Sequence, residues 1–158
     1  MFPFQVFPLA FREHSTRVEV LFADTDAMGI VYYANYLRFF EAGRTAYVRT
    51  FGPEITGAMR DGEKLYFPVI DVHCRYRRSA RVHDRLEVVT ALREVKRASF
   101  SFAYRVLRAG DGELLAEGET EHTTIDGEGR VLRFDERLKT FFERATAPES
   151  PDDSPTAR

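Results

Sequence analysis

Residues 22–51 read FADTDAMGIVYYANYLRFFEAGRTAYVRTF, and the folding of this stretch sets the rest of the chain. It opens on an acidic turn carrying Asp24 and Asp26. Gly29 follows, a residue that lets the backbone bend where a side chain would be in the way. Then Tyr36, Phe40, Gly43, Tyr47 and Phe51 recur at spacings of three and four, with Phe39 and Ala46 beside them. That spacing is the apolar stripe of one long amphipathic helix. A carboxylate on a loop, aimed at a helix N-terminus, is an arrangement that can polarise and attack a carbonyl.

Upstream, RVEVLFA (17–23) alternates, with Val18, Val20 and Phe22 on one face, and predicts a half-buried strand. The apolar opening MFPFQVFPLAF is broken by Pro3 and Pro8 and has no basic start, so it does not read as a signal peptide. Residues 1–16 are expected to form an extended arm on the body or on a neighbouring subunit.

Downstream, residues 52–64 hold Gly52, Pro53, Gly57 and Gly62 and one short helix starting at Pro53. Residues 65–79 read as a long strand, with Ile70, Val72, Cys74 and Tyr76 on one face and Asp71, His73, Arg75 and Arg77 on the other. Strands are expected over 86–95, 99–108 and 114–125. Turns fall at Lys96–Arg97, at Asp111–Gly112 and in DGEG (126–129). Asp135 is placed to cap a last helix with Leu138, Phe141 and Phe142 on one side. Residues 148–158, with three prolines among Ser and Asp, read as a disordered tail. The order is strand, long helix, a meander of about four strands, short helix. That predicts an α+β domain over 17–147, its antiparallel sheet curled around the helix.

At 158 residues the chain is long enough for one domain with a real core. A net charge of −2 gives no reason to expect nucleic acid or a membrane surface as partner. No stretch approaches the ~20 apolar residues of a membrane span. One cysteine, Cys74, excludes an intrachain disulfide and fits a cytoplasmic location. Fourteen Phe and seven Tyr with no Trp point to a core or pocket built from rings.

Residues 18–49 resemble the opening of the acyl-CoA thioesterases of the hotdog fold. The family in view is that of 4-hydroxybenzoyl-CoA thioesterase and its Tol-Pal-associated relatives. The residues that carry the resemblance are Phe22, Asp24, Asp26, Gly29, Ile30, Val31, Asn35 and Tyr36. It continues through FPVIDVHCRYRRSARVHDRLEV and VKRASFSFAYRV to the closing helix, over roughly 17–144. The resemblance implies a hotdog fold, a long central helix wrapped by a curved antiparallel sheet. It also implies a homodimer or homotetramer with sites at the interface, and hydrolysis of an acyl-CoA substrate.

Carried over residue by residue, Asp26 matches the catalytic carboxylate, acting as nucleophile or as general base on water. The Tyr33 backbone N–H matches the carbonyl-polarising donor, with Gly29 shaping the approach. The Tol-Pal-associated relatives have His at the position of Tyr33, so no side-chain role of that His transfers. Asp24 reads as a structural turn residue. Glu41, two turns into the helix, is the second candidate carboxylate. Lys96 and Arg97 match basic residues near the CoA phosphates, although solvated turn charges explain them equally well. Val31, Tyr32, Phe39, Phe67 and Val69 are candidates for an acyl pocket. The four His and one Cys lack metal-ligand spacing, and no metal or redox cofactor is called for. Taken without the resemblance, an Asp before a helix is more readily a cap or turn residue than a catalytic one. Two other readings stand beside hydrolysis: a hotdog dehydratase or hydratase, and an acyl-CoA-binding protein without turnover.

Overall fold

The computed structural model describes residues 11–60 and 65–147, with 57–60 described as backbone only. The first ten residues of the expected arm and the expected tail at 148–158 lie outside the described residues. In chain order the elements are β1 (Glu13–Glu19), α1 (Asn35–Phe51), α2 (Pro53–Arg60), β2 (Val69–Tyr76), β3 (Arg85–Val95), β4 (Ser99–Arg108), β5 (Leu114–Thr123) and α3 (Glu136–Thr146). β1 begins four residues before the expected strand and pairs Glu13 with Ala91, so residues 13–16 are sheet rather than arm.

The five strands form one antiparallel sheet in the order β1-β3-β4-β5-β2. Only β3, β4 and β5 are a meander. β2 does not pair with its chain neighbour β3, because β1 already occupies that edge; it crosses to the far edge and pairs with β5. It is shorter than the expected 65–79, carries a bulge between Val69 and Asp71, and is exposed along nearly its whole length. The expected one-sided apolar face is therefore an open edge.

α1 lies across the inner face of the sheet, and the stripe read from the sequence is the buried one: Tyr36, Phe39, Phe40, Gly43, Tyr47 and Phe51. The helix meets β3 at Gly43, where a Cβ would stand 2.4 Å from Thr90 Oγ1 and 2.8 Å from Val88 Cγ1. Phe40 stacks on Tyr104 of β4, centroids 4.4 Å apart, and Tyr47 meets Phe102 edge-on at 5.7 Å. α3 closes the end of the core with Leu138, Phe141 and Phe142, capped by Asp135, whose carboxylate accepts the Leu138 N–H at 3.1 Å.

The centre of β4 is buried on both faces, Ser101 and Ala103 included. Small residues suit the outer face there because an ion pair from Arg93 of β3 to Glu119 of β5 spans it, and Arg105 of β4 reaches Glu13 of β1 across β3 beside it. Long arginine stems cover apolar surface while their charged ends stay wet. The expected α+β hotdog architecture, one long helix in a curved antiparallel sheet, is the one observed.

Candidate active site

After β1 the chain makes a single 3-10 turn at Phe22–Asp24, and a bridge between Thr25 and Val31 closes the loop carrying Asp26. Asp26 N–H donates to Ile30 O and Gly29 N–H to Asp26 O, both at 2.9 Å. Gly29 has φ +72, the left-handed region where a side chain is strained. The Asp26 carboxylate accepts the Met28 N–H on Oδ1 at 2.8 Å. Its Oδ2 has no donor among the described residues.

Asp24 is buried and does different work. Its carboxylate accepts the Leu21 N–H at 2.8 Å and the Arg38 guanidinium. Its carbonyl accepts the Tyr32 N–H and the Asn35 side-chain amide, at 2.9 and 2.8 Å. The turn is thereby stapled to the start of α1, in agreement with the structural reading of Asp24.

α1 begins without a side-chain cap, because Ala34 stands at the cap position. The N–H groups of Asn35, Tyr36 and Leu37 are used in i to i−3 bonds, whereas those of Tyr33 and Ala34 have no acceptor among the described residues. Open donors at a helix start carry partial positive charge and favour an anion. A cavity of about 230 Å³ brings together Asp26, Tyr33, Tyr36, Tyr76, Arg77 and Arg78. Asp26 and Tyr33 thus line one cavity, with Gly29 in the loop between them.

Other expected residues lie elsewhere in the chain. Glu41 is exposed at the mouth of a second cavity of about 310 Å³, with Arg44, Thr45, Phe67, Phe102 and His122. Lys96 and Arg97 sit at the β3–β4 turn. β3 has eleven residues, so that turn is roughly 30 Å along the sheet from the Asp26 end. Lys96 is paired there with Glu121 at 2.9 Å and with Glu94 at 3.7 Å. The five acyl-pocket candidates do not line one pocket. Val31 borders the Asp26 cavity, Phe67 the second cavity, Phe39 is core, and Tyr32 and Val69 are exposed.

The sequence does not single out Tyr36, Tyr76, Arg77 or Arg78 as site residues. The strand pattern put Tyr76 on an apolar face, but no periodicity shows that the end of β2 reaches the start of α1.

The second cavity is backed by a directed chain of hydrogen bonds. Arg44 donates to Tyr104 Oη at 3.3 Å, Tyr104 and Thr120 hydroxyls meet at 2.7 Å, and Thr120 Oγ1 lies 2.9 Å from His122 Nε2. His122 Nδ1 lies 3.1 Å from Phe67 O. A carbonyl can only accept, so Nδ1 carries the proton, Nε2 accepts from Thr120, and Tyr104 donates to Thr120. Burial pushes the His122 pKa down to about 4, with Arg44 lowering it further and the Phe67 carbonyl opposing. Among the described residues no cluster of His, Cys, Asp or Glu is placed to hold a metal ion.

Residues 20–153 match the thioesterase-like superfamily, and this range takes in the Asp26 loop, α1 and strands β2 to β5. The chain belongs to that superfamily. It is 33% identical over 126 residues to the acyl-CoA thioesterase YbgC of Haemophilus influenzae, covering 79% of this chain and 90% of that one. It is 26% identical over 125 residues to the 1,4-dihydroxy-2-naphthoyl-CoA hydrolase of Synechococcus elongatus, covering 78% and 90%. Among solved structures, a hypothetical protein of Thermus thermophilus superposes with a TM-score of 0.75 at 31% identity, over 87% of this chain and all of that one. The 1,4-dihydroxy-2-naphthoyl-CoA thioesterase of Synechocystis shares the fold at a TM-score of 0.76 and 20% identity, over 87% and 100%. The resemblance read from the sequence is borne out, and this thioesterase-like chain is a thioester hydrolase of hotdog fold. No helix among its described residues is long and apolar enough to cross a membrane.

Proposed function

We propose that this chain hydrolyses an acyl-CoA to a carboxylic acid and CoA in the cavity of Asp26. The observation that carries the reading is that Asp26 lines one cavity at the start of α1 with Tyr33, whose N–H has no acceptor among the described residues. The thioester carbonyl oxygen gains negative charge as the carbon is attacked, and the Tyr33 N–H stabilises that charge. Asp26 supplies the electrons in one of two ways. As nucleophile it forms a mixed anhydride and expels the CoA thiolate, and water then opens the anhydride. As general base it takes a proton from water, which attacks directly. Both routes consume one water, and neither calls for a metal or redox cofactor.

The proposed assembly is a homodimer, with a homotetramer built from it. β2 leaves its outer edge unpaired and exposes Val69, Ile70, Val72 and Tyr76. Two copies joined edge to edge by a two-fold axis satisfy that row of N–H and C=O groups. Like strands so related run antiparallel, which carries the Lys96–Arg97 end of one sheet towards the Asp26 end of the other. A role for Lys96 and Arg97 at the CoA phosphates belongs to that assembly, in the partner's site. Within one chain, Arg77 and Arg78 are the cations at the cavity. Of these Arg77 is engaged by Glu117, and Arg78 approaches Glu113 at 3.5 Å. The single cysteine accords with a reducing compartment such as the cytoplasm.

None of the four histidines lines the Asp26 cavity. Hydration and dehydration of acyl thioesters ordinarily use a His with a carboxylate, so this observation favours hydrolysis. The test is thiol release from benzoyl-, 4-hydroxybenzoyl-, 1,4-dihydroxy-2-naphthoyl-, short-chain and palmitoyl-CoA, with the wild type and Asp26→Asn. Release that disappears in Asp26→Asn supports the reading. Binding without release from any thioester supports the acyl-CoA-binding alternative.

A further inference from the structure

We propose that Tyr76 is a positioning residue for the carbonyl-polarising donors, and that the Ala34 N–H is the second of them. The inference rests on the reading of Asp26 and Tyr33 given above. Tyr76 is the last residue of edge strand β2, and its Oη donates to the Tyr33 carbonyl oxygen at 2.9 Å. Its ring meets Tyr36 of α1 edge-on, centroids 5.2 Å apart. Tyr36 is itself fixed, since its Oη accepts the Ala80 N–H at 3.3 Å and its ring packs against Phe39. Tyr76 therefore clamps the backbone just before α1 to the end of the sheet.

The carbonyl it holds is half of a planar peptide whose other half is the Ala34 N–H. Fixing one end fixes the direction of the other, and a hydrogen bond on the carbonyl polarises the N–H across the peptide. That N–H and the Tyr33 N–H are consecutive, and both lack an acceptor among the described residues. The methyl side chain of Ala34 has no polar atom to turn back as a cap. Two adjacent open donors at a helix start suit an oxygen that becomes anionic during reaction. In the single chain Tyr76 is 45% exposed, so burial within the chain does not force its hydroxyl into this bond. The consequence of its bond is orientation rather than burial of a polar group. A phenol is protonated at neutral pH and remains a donor there.

The experiment compares wild type, Tyr76→Phe and Asp26→Asn on the acyl-CoA that the panel identifies. Tyr76→Phe keeps the ring and its contact with Tyr36. Its kcat is expected to fall about tenfold, less than the roughly 100-fold or more of removing a donor outright. Its KM is expected to stay within twofold. Its affinity for an S-alkyl-CoA thioether, which has no carbonyl to polarise, should match the wild type. Wild-type kcat in Tyr76→Phe overturns the proposal. So does a loss that appears in KM or in thioether affinity, because that is the mark of a packing role. An inactive Asp26→Asn beside a fully active Tyr76→Phe removes this inference and leaves the hydrolase reading standing. Activity retained by Asp26→Asn removes the reading beneath it.

Discussion

Arg38 of α1 is paired with Asp24 of the acidic turn, donating to a carboxylate that is 5% exposed. The two carboxylates of the turn are thereby separated in function. Asp24 has its charge balanced and its oxygens engaged, while Asp26, which lines the cavity, has an oxygen with no donor among the described residues. Asp24→Ala should cost about 2 kcal/mol, because it strips the Leu21 N–H of its acceptor and loosens the turn. Asp26→Asn should leave stability within about 0.5 kcal/mol and lower kcat by roughly 10³-fold or more. Urea melts beside thiol-release assays check the pair. A stable, active Asp24→Ala enzyme would contradict the staple.

Gly43 marks the closest approach of α1 to β3. Alanine is the better helix former by about 1 kcal/mol, so an open site would be stabilised by the change. Here a Cβ meets Thr90 Oγ1 and Val88 Cγ1 well inside contact distance. Gly43→Ala should instead be destabilised by about 1–2 kcal/mol, the range of an overpacked core. A melting temperature at or above wild type would show that Thr90 gives way.

His122 sets an acid limit. Its folded pKa is lowered to about 4 from 6.5, so between these values the unfolded chain binds a proton that the folded chain does not. Its contribution to stability is present above about pH 6.5 and is lost as pH falls towards 4. Over that window the loss is on the order of 3 kcal/mol. Chemical denaturation from pH 7 to 4 measures it, and His122→Gln should flatten the dependence while lowering stability at pH 7.

The edge of β2 tests the assembly. Val72→Lys places a charge on an exposed apolar strand without disturbing the core, since Val72 is already 44% exposed. The proposed dimer should dissociate, with the mass falling to 18.2 kDa in sedimentation, and activity should fall with it. An unchanged mass would mean that copies meet elsewhere or that the wild type is a monomer.

Much of the fold was legible because it follows from local rules. The spacing from Tyr36 to Phe51 names the buried face of α1. Asp135 caps α3 as expected, and Gly112 and Gly129 take positive φ in the turns where they were read. β4 spans 99–108, as its alternation indicates. The strand order was less legible. Alternation in 65–79 says that a strand forms, but pairing with β5 rather than β3 depends on which edge β1 has taken. The candidate site was legible only at its loop, where Asp26, Gly29 and Tyr33 are close in sequence.

The sequence by itself determined that there is one long helix, that its aromatic stripe is buried, and that an acidic turn precedes its start. These are consequences of periodicity and short-range sterics, which act over a few residues. Only the tertiary structure decided which charges stand near Asp26. Curvature of the sheet brings Tyr76, Arg77 and Arg78 from the end of β2 to the start of α1, about forty residues away in sequence. The length of β3 holds Lys96 and Arg97 at the opposite end. Contacts of that range depend on strand order and register, which no local pattern encodes.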